Sequence, residues 1–142
     1  MHLDQSGLEI LDRQEALSLL SRAPIGRIVF TDRALPAVQP VNFVFDGTHI
    51  VIRTSRTSRL AAAATGTVVA FEIDEFDAAA ETGWSVVVVG PARGVTAPAE
   101  VRRLRRLPLR TWAPGERDHY IRLRPELVTG RRIPARDRAL PA

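Results

Sequence analysis

Apolar and polar side chains alternate over several short stretches of this chain, and that period of two is typical of half-buried β-strands. Residues 26–31 place Ile28 and Phe30 on one face. Residues 67–74 do the same with Val69, Phe71 and Ile73. Together with these two stretches, the pattern predicts six strands, the other four at residues 37–45, 48–53, 84–95 and 119–124.

Turn signals between the predicted strands favour antiparallel pairing. Asp46-Gly47 separates the second strand from the third and is a strong hairpin signal. Pro40 indicates a sheet edge or a bulge, and Gly90-Pro91 indicates a bulge where the fifth strand can bend around a barrel corner. Short strands joined by tight turns favour a closed barrel or a sandwich over a doubly wound sheet.

Three helices are predicted outside the strands. Asp12, followed three residues later by Glu15, resembles a capping box for a helix at residues 13–22. Gly66 ends a short helix at residues 58–65, and Pro98 begins a third that extends to residue 106. The remaining stretches are predicted as an acidic loop at 75–83, a loop at 108–118 and a short further piece at 127–133.

Composition limits the possible classes of protein. With 142 residues, 45% of them hydrophobic, the chain is long enough for one packed domain, placed at residues 1–133. Residues 134–142 are expected to form a disordered tail. The chain has no Cys, which excludes disulfides and thiol catalysis, and its three His show no metal-ligand spacing, so no metal site is predicted.

No segment of the sequence predicts a membrane span. The longest apolar run, residues 86–89, is far shorter than the ~20 residues that a spanning helix needs. The first residues show neither a basic region nor an apolar one, so no secretory signal is predicted. A cytoplasmic protein is therefore the default expectation.

Basic charge is concentrated in the last third of the chain. Residues 101–142 contain twelve Arg against four acidic residues, whereas residues 1–100 contain eight against twelve. Such a region can attract nucleic acid, an acidic partner or an anionic ligand. For the cluster between residues 102 and 110, a solvated helical face is favoured over a nucleic-acid module, because no aromatic stacking residues accompany it.

Residues 50–60 are the strongest candidate for a binding site. Their sequence, Ile-Val-Ile-Arg-Thr-Ser-Arg-Thr-Ser-Arg-Leu, runs from an apolar strand through three Arg and four hydroxyl residues into a helix. Guanidinium forks, hydroxyls and free amides at a helix start all favour anions, above all phosphate. The alternative is an Arg-rich solvated loop, since all twenty basic Lys/Arg positions of the chain are Arg.

Four segments in order resemble the pyridoxamine 5′-phosphate oxidase-like family of FMN-binding split β-barrels. They are Gly26-Arg-Ile-Val-Phe-Thr31, Pro40-Val-Asn-Phe43, Ile52-Arg-Thr-Ser-Arg-Thr-Ser-Arg-Leu60 and Gly83-Trp-Ser-Val-Val-Val-Val-Gly90. The chain is most similar to short bacterial members related to nitroimidazole-resistance reductases. The resemblance implies a mainly β fold, a six-stranded antiparallel split β-barrel with peripheral helices.

The resemblance also implies a homodimer with FMN at the interface. By position, the phosphate would be held at the end of the third strand and the following helix start, by Arg53, Thr54, Ser58 and Arg59, and Leu60 would belong to the same cofactor site. Many relatives have Gly-Ser-Lys-Leu where this chain has Thr57-Ser58-Arg59-Leu60. Arg in place of Lys keeps the charge and adds a bidentate fork.

The flavin ring would lie along the second strand, and the partner subunit would cover it. The strand residues are Val38, Gln39, Pro40, Val41 and Asn42. The partner subunit's Trp84 and Ser85 would complete the site. Two alternatives stay open: Asn42 as a strand residue bonded to a neighbouring turn, and Trp84 as a core or interface aromatic.

The implied activity is a flavin oxidoreductase that passes a hydride or electrons between a reduced nicotinamide and a small-molecule acceptor. No acid, base or nucleophile is indicated, because chemistry in this family takes place on the flavin. Catalytic residues and the substrate are therefore not predicted. The alternatives are a deazaflavin-dependent reductase of the same barrel, and a flavin- or nucleic-acid-binding module without turnover.

Overall fold

The computed structural model describes residues 1–135, so most of the predicted tail, residues 136–142, lies outside the described residues. Eight strands and three helices form this part of the chain. The helices are α1 (Arg13–Leu19, continued by a 3₁₀ turn at Leu20–Arg22), α2 (Arg59–Ala64) and α3 (Pro98–Arg105). The strands are β1 (Glu9–Leu11), β2 (Ile25–Asp32), β3 (Leu35–Phe45), β4 (Ile50–Thr54), β5 (Val68–Asp77), β6 (Thr82–Val95), β7 (His119–Leu123) and β8 (Leu127–Ile133).

Six of these strands close into a barrel. The order is β6-β5-β2-β3-β4-β7, every pairing is antiparallel, and β7 pairs back onto β6. β8 pairs with the same edge of β6 as β7, at the earlier residues 83–89, and β8 and β1 extend the sheet there outside the barrel. The predicted six-stranded antiparallel barrel with peripheral helices is confirmed, and its six strands are those that the alternation predicted.

The barrel is split between β3 and β4. β4 pairs with β3 only through Phe43–Phe45, so the earlier part of β3 has an edge without a strand partner on that side. Pro40 lies on this open edge, where a missing N–H costs no ladder bond. β4 meanwhile runs on to Thr54 beside β7. A gap therefore opens between the middle of β3 and the end of β4.

The structure departs from the sequence-based predictions at three places. The acidic loop predicted at 75–83 is mostly strand, because β5 and β6 pair as far as Asp77 and Thr82. At Gly90-Pro91 the β5–β6 register is unbroken, but on the other edge of β6 the register shifts by one residue between Ala92↔Leu123 and Val89↔Leu127, so the extra residue of the bulge lies on the partner side and not in β6. The short β1, which no alternation indicated, is held as a strand by β8. Asp12 caps α1 as predicted, its carboxylate accepting a hydrogen bond of 2.8 Å from the Glu15 amide.

Two apolar clusters stabilise the fold. The larger one fills the barrel with inward-facing strand residues such as Ile28, Phe71 and Ile121, each fully buried. The smaller one lies beneath α3 and consists of Val51, Val95, Leu104, Leu109 and Tyr120. No helix within residues 1–135 is long and apolar enough to cross a membrane.

Candidate functional site

A cavity of about 190 Å³ lies in the gap between β3 and β4. Its walls combine the open edge of β3, the end of β4 and a loop that precedes β7. Six residues predicted from the sequence line it: Gln39, Pro40, Val41, Asn42, Arg53 and Thr54. Five further residues complete the lining: Ile25, Thr111, Trp112, Ala113 and Arg117.

Arg53 provides positive charge at this cavity. Its guanidinium lies over the ring of Tyr120, with 5.6 Å between Cζ and the ring centroid. Its Nε donates a hydrogen bond to the backbone carbonyl of Arg117. Neither Nη donates a hydrogen bond to another described residue, so the outer fork of the guanidinium is available to an anion.

Two hydroxyls continue the site from the end of β4. Thr54 is almost fully buried, and its Oγ1 donates to Ser58 Oγ at 3.1 Å. Ser58 Oγ also accepts from the Ala61 amide at 3.0 Å, which caps α2. Because both lone pairs of Ser58 Oγ are then used, its own hydrogen points away from these partners and can be donated to a ligand oxygen.

Arg59 and Leu60 are placed differently from Arg53. Arg59 donates from Nε and Nη2 to Asp32 Oδ2, at 3.1 and 2.9 Å, and it does not line the cavity. The Leu60 side chain is fully buried in the barrel core, so only its backbone can contact a ligand. Arg53 therefore suits the predicted phosphate site better than Arg59, because it lines the cavity and its outer fork makes no hydrogen bond to a described residue.

The side chain of Asn42 joins two segments of the chain. Its Nδ2 donates to the carbonyl of Pro24 at 3.3 Å. Its Oδ1 accepts from the backbone N–H of Trp112 at 2.8 Å, from a residue 70 positions away. Here Asn42 has the alternative role that the sequence left open, a strand residue bonded to neighbouring turns, although it also lines the cavity.

Trp84, Ser85 and Val38 do not line this cavity. Trp84 is 7% exposed and packs in the barrel core. Ser85 lies on the outer face of β6, opposite Asp74 of β5. Val38 is exposed on the outer face of β3, opposite Val29 of β2. Contact of these three residues with a ligand stays a prediction, and for Trp84 and Ser85 it requires a partner subunit.

The loop before β7 was predicted only as a loop, with no role in binding for its residues. Trp112 lines the cavity from this loop, yet 65% of it is exposed. The only feature of the sequence that could have indicated a role for Trp112 is an aromatic residue among Arg, Pro and Gly in a segment without periodicity. Nothing in the sequence indicated that Trp112 lies close to Asn42.

The Arg cluster on α3 is partly neutralised. Arg103 donates to Glu100 Oε1 at 2.7 Å and lies 3.3 Å from Asp46 Oδ2. Arg122 lies 3.0 Å from the same Glu100 oxygen. Hydrogen bonds with Arg103 and the positive charge of Arg103 and Arg122 lower the pKa of Glu100. Arg103 is thus the ion-paired member of the cluster, and exposed pairs of this kind contribute little to stability.

Comparison with known proteins finds a matching family and a similar protein. The model of the pyridoxamine 5′-phosphate oxidase family matches residues 12–132. The uncharacterized protein Rv0080 of Mycobacterium tuberculosis is 43% identical over 141 residues, covering 94% of this chain and 92% of that protein.

Two solved structures resemble the chain in both sequence and fold. The FAD binding protein of Mycobacterium smegmatis is 33% identical, with a TM-score of 0.70, covering 89% of this chain and 99% of that one. A Corynebacterium glutamicum protein whose name assigns it provisionally to pyridoxamine 5′-phosphate oxidase is 32% identical, with a TM-score of 0.79. That match covers 92% of this chain and 96% of the other.

Proposed function

Because the chain belongs to the pyridoxamine 5′-phosphate oxidase family, as its motifs predicted, we propose that it binds a flavin in the cavity between β3 and β4. One observation supports this most directly. Residues predicted for the phosphate, Arg53 and Thr54, and residues predicted for the ring, 39–42, line the same cavity although they come from different strands. The similar FAD binding protein of Mycobacterium smegmatis supports a flavin as the ligand class.

The polar groups at the end of β4 suit a phosphate. Arg53 offers its outer guanidinium fork, and Ser58 offers a hydroxyl hydrogen that Thr54 and the Ala61 amide orient. Charge-assisted hydrogen bonds of this kind are the strong ones in proteins. The open edge of β3 presents backbone groups without a strand partner, which suits the carbonyl and nitrogen edge of a flavin ring.

A second copy of the chain completes the site in this proposal. The cavity of about 190 Å³ is smaller than the ~300–1,000 Å³ of typical small-molecule sites, so one chain encloses only part of a flavin. The partner subunit's Trp84 and Ser85 remain the candidates for covering the ring. The homodimer that the family resemblance implied is thus part of the proposal.

A bound flavin supplies hydride or electron transfer at its ring. The protein's share is to hold the phosphate at Arg53 and Ser58, with Thr54 orienting Ser58, to align the ring along residues 39–42 and to limit access of water to it. We propose an oxidoreductase that passes a hydride or electrons between a reduced nicotinamide and a small-molecule acceptor. FMN is the first candidate cofactor, FAD is the second, and a deazaflavin is the alternative.

Titration of the purified protein with FMN, FAD, riboflavin and a deazaflavin cofactor tests the proposal. We expect binding at micromolar concentration or tighter for at least one phosphate-bearing flavin, with a change in its visible spectrum. Turnover with a reduced nicotinamide would then separate an oxidoreductase from a flavin carrier. A protein that takes up none of the four ligands would refute the proposed function.

Arg53→Ala and Arg59→Ala form a matched pair for the phosphate site. Arg53→Ala is expected to weaken FMN binding by about tenfold or more, because a hydrogen bond to a charged group is worth about 1.5–3 kcal/mol. Arg59→Ala should weaken it less, because Asp32 already neutralises Arg59 outside the cavity. Isothermal titration calorimetry measures both. An equal loss in the two variants would show that Arg59 turns from Asp32 to the ligand.

A further inference from the structure

The loop before β7 leaves one buried cluster and returns to the same cluster. Leu109 precedes it and Tyr120 follows it, and both pack with Val51, Val95 and Leu104 beneath α3. The loop therefore projects from a fixed base. Its course between these two anchors depends on contacts made by the intervening residues.

Two hydrogen bonds attach the middle of this loop to the barrel beside the cavity. The backbone N–H of Trp112 donates to Asn42 Oδ1 at 2.8 Å, and Arg53 Nε donates to the backbone carbonyl of Arg117. Both partners on the barrel line the cavity. The loop is thus held against the cavity by the two side chains that the sequence assigned to the ligand.

Trp112 is exposed at the cavity wall. It lines the cavity, 65% of it is exposed, and its neighbours Thr111 and Ala113 are small. Leaving so large an apolar surface in water forgoes stabilisation that burial provides. An indole at the mouth of a cavity is well suited to stacking on a planar ring, which would remove that surface from water.

We propose that Trp112 stacks on the ring system of the ligand in this cavity, and that Asn42 is the positioning residue that sets Trp112 there. This inference rests on the proposed function, because it takes the ligand to be a flavin. It identifies a ring-binding residue in a loop to which the sequence assigned no role. It also changes the role of Asn42 from a direct flavin contact to a support for the loop.

The hydrogen bonds of Asn42 support a positioning role. Its carboxamide oxygen accepts from Trp112 and its nitrogen donates to Pro24, so both ends of the amide are used within the protein. A direct role at the flavin would leave the Trp112 amide without this partner. The loop would then lose one of its two attachments to the barrel beside the cavity.

Riboflavin and FMN separate ring contacts from phosphate contacts, because they share the ring and differ by the phosphate. Trp112→Ala is expected to weaken binding of both ligands by the same factor, about tenfold to a hundredfold, since a base stacked on an aromatic is worth about 1–3 kcal/mol. Trp112→Phe keeps a stacking face and should stay within about threefold of the wild-type protein.

Leu35→Ala is the matched control. Leu35 is 68% exposed, close to the value for Trp112, and it lies at the tip of the β2–β3 hairpin outside the cavity. Its removal should leave both affinities unchanged. Circular dichroism and thermal unfolding of every variant check that the fold is retained, which the exposure of Trp112 leads us to expect.

A double-mutant cycle tests Asn42. If Asn42 acts through Trp112, Asn42→Ala alone weakens riboflavin and FMN equally, and Asn42→Ala adds little once Trp112 is Ala. If Asn42 contacts the ring itself, the two losses multiply, and that result overturns the positioning role.

Failure of the inference is distinguishable from failure of the proposed function. Wild-type protein that binds no flavin refutes the function, and with it the inference. Wild-type protein that binds flavin while Trp112→Ala keeps its affinities refutes the inference alone. Equal losses in Trp112→Ala and Trp112→Phe refute stacking.

Discussion

At the scale of single residues, the carboxyl pair on the outer face of β5 is the most sensitive to pH. Glu72 and Asp74 lie one above the other on that face, and Arg27 Nη1 approaches them at 3.5 and 3.4 Å. Burial, followed by a hydrogen bond with Asp74 and its negative charge, raises the pKa of Glu72 to about 7, although Arg27 opposes the shift. Glu72 therefore shares a proton with its neighbour near neutral pH.

This pair makes stability depend on pH. A glutamate in the unfolded chain releases its proton near 4.5, whereas folded Glu72 keeps it up to about 7, so the folded state binds more protons between these values. The free energy of unfolding should accordingly fall as the pH rises through this window, by about 1–2 kcal/mol because water screens part of the repulsion. Denaturant unfolding at about pH 5 and about pH 8 measures it.

Glu72→Gln removes the carboxyl group that takes up and releases the proton. The free energy of unfolding should then change less between about pH 5 and about pH 8, and the variant should be more stable than the wild-type protein at about pH 8. Glu75→Gln, on the same strand but paired with Arg22 at 3.4 Å, is the control and should keep the wild-type difference. A wild-type protein equally stable at both pH values would contradict the shared proton.

Single residues also show where prediction from sequence ends. The place of Arg53 at the cavity matches the sequence prediction, which rested on residue type alone, an Arg next to Thr at a strand end. The contact of Asn42 with Trp112 was not, because it joins positions 70 apart and depends on how the barrel places a loop without periodicity. The same limit applies to the pairing of Arg59 with Asp32.

At the scale of elements, β6 connects the barrel to the outer strands. One edge of β6 pairs with β8 as far as Val89 and with β7 from Ala92 onward. Gly90 lies at this change of partner, where a Cβ would lie 1.8 Å from the carbonyl oxygen of Arg124. The chain between β7 and β8 runs along this edge of β6, where the amides of Arg124 and Glu126 donate to the carbonyls of Pro91 and Val89, so the position requires the absence of a side chain.

Gly90→Ala is expected to lower the free energy of unfolding by about 2–3 kcal/mol, because backbone atoms of the adjacent segment, Arg124 and Glu126, must move. Gly94→Ala on the same strand is the control. Its Cβ would meet only side-chain atoms, of His119 at 3.1 Å and of Thr65 at 3.4 Å, so its effect should be below about 1 kcal/mol. Equal effects in the two variants, measured by chemical denaturation, would show that the segment beside Gly90 adapts easily.

Element prediction succeeded where hydrophobic alternation is long. The inward-facing positions of the six barrel strands are mostly apolar, Gln39 of β3 being an exception, and none of these strands needed knowledge of its partner. The predicted loop at 75–83 failed because Glu75, Phe76 and Asp77 are exposed and extend their strand only through the hairpin with β6. β1 was not predicted, because three residues are too few to show a period.

At the scale of the whole molecule, the outer face of the sheet has a row of apolar residues suited to a second copy. Neighbouring strands place them in register from β3 to β8, a distance of about 19 Å at ~4.8 Å per strand. The row consists of Val38, Val29, Ala70, Val89 and Leu127. Val38 and Leu127 at its two ends are exposed, as expected for a surface that a dimer covers.

Val38→Glu should therefore yield monomers, because burying an unpaired charge in an interface costs several kcal/mol. Leu35→Glu is the matched control on the same strand, since Leu35 is as exposed as Val38 but lies outside the row. Light scattering after gel filtration should give twice the 15.7 kDa chain mass for the wild-type protein and for Leu35→Glu. A monomeric wild-type protein would contradict the proposed dimer.

The base of the loop between Leu109 and Tyr120 has a consequence for divergence within the family. Because both ends are fixed in one buried cluster outside the barrel core, sequence changes between them leave the barrel strands and the phosphate hydroxyls in place. Selection can then alter the length and composition of this loop, and with them the contact to the cofactor ring, without altering the phosphate site. We expect related chains to keep Thr54 and Ser58 while their counterparts of this loop vary, so that one phosphate site serves different ring contacts and acceptors.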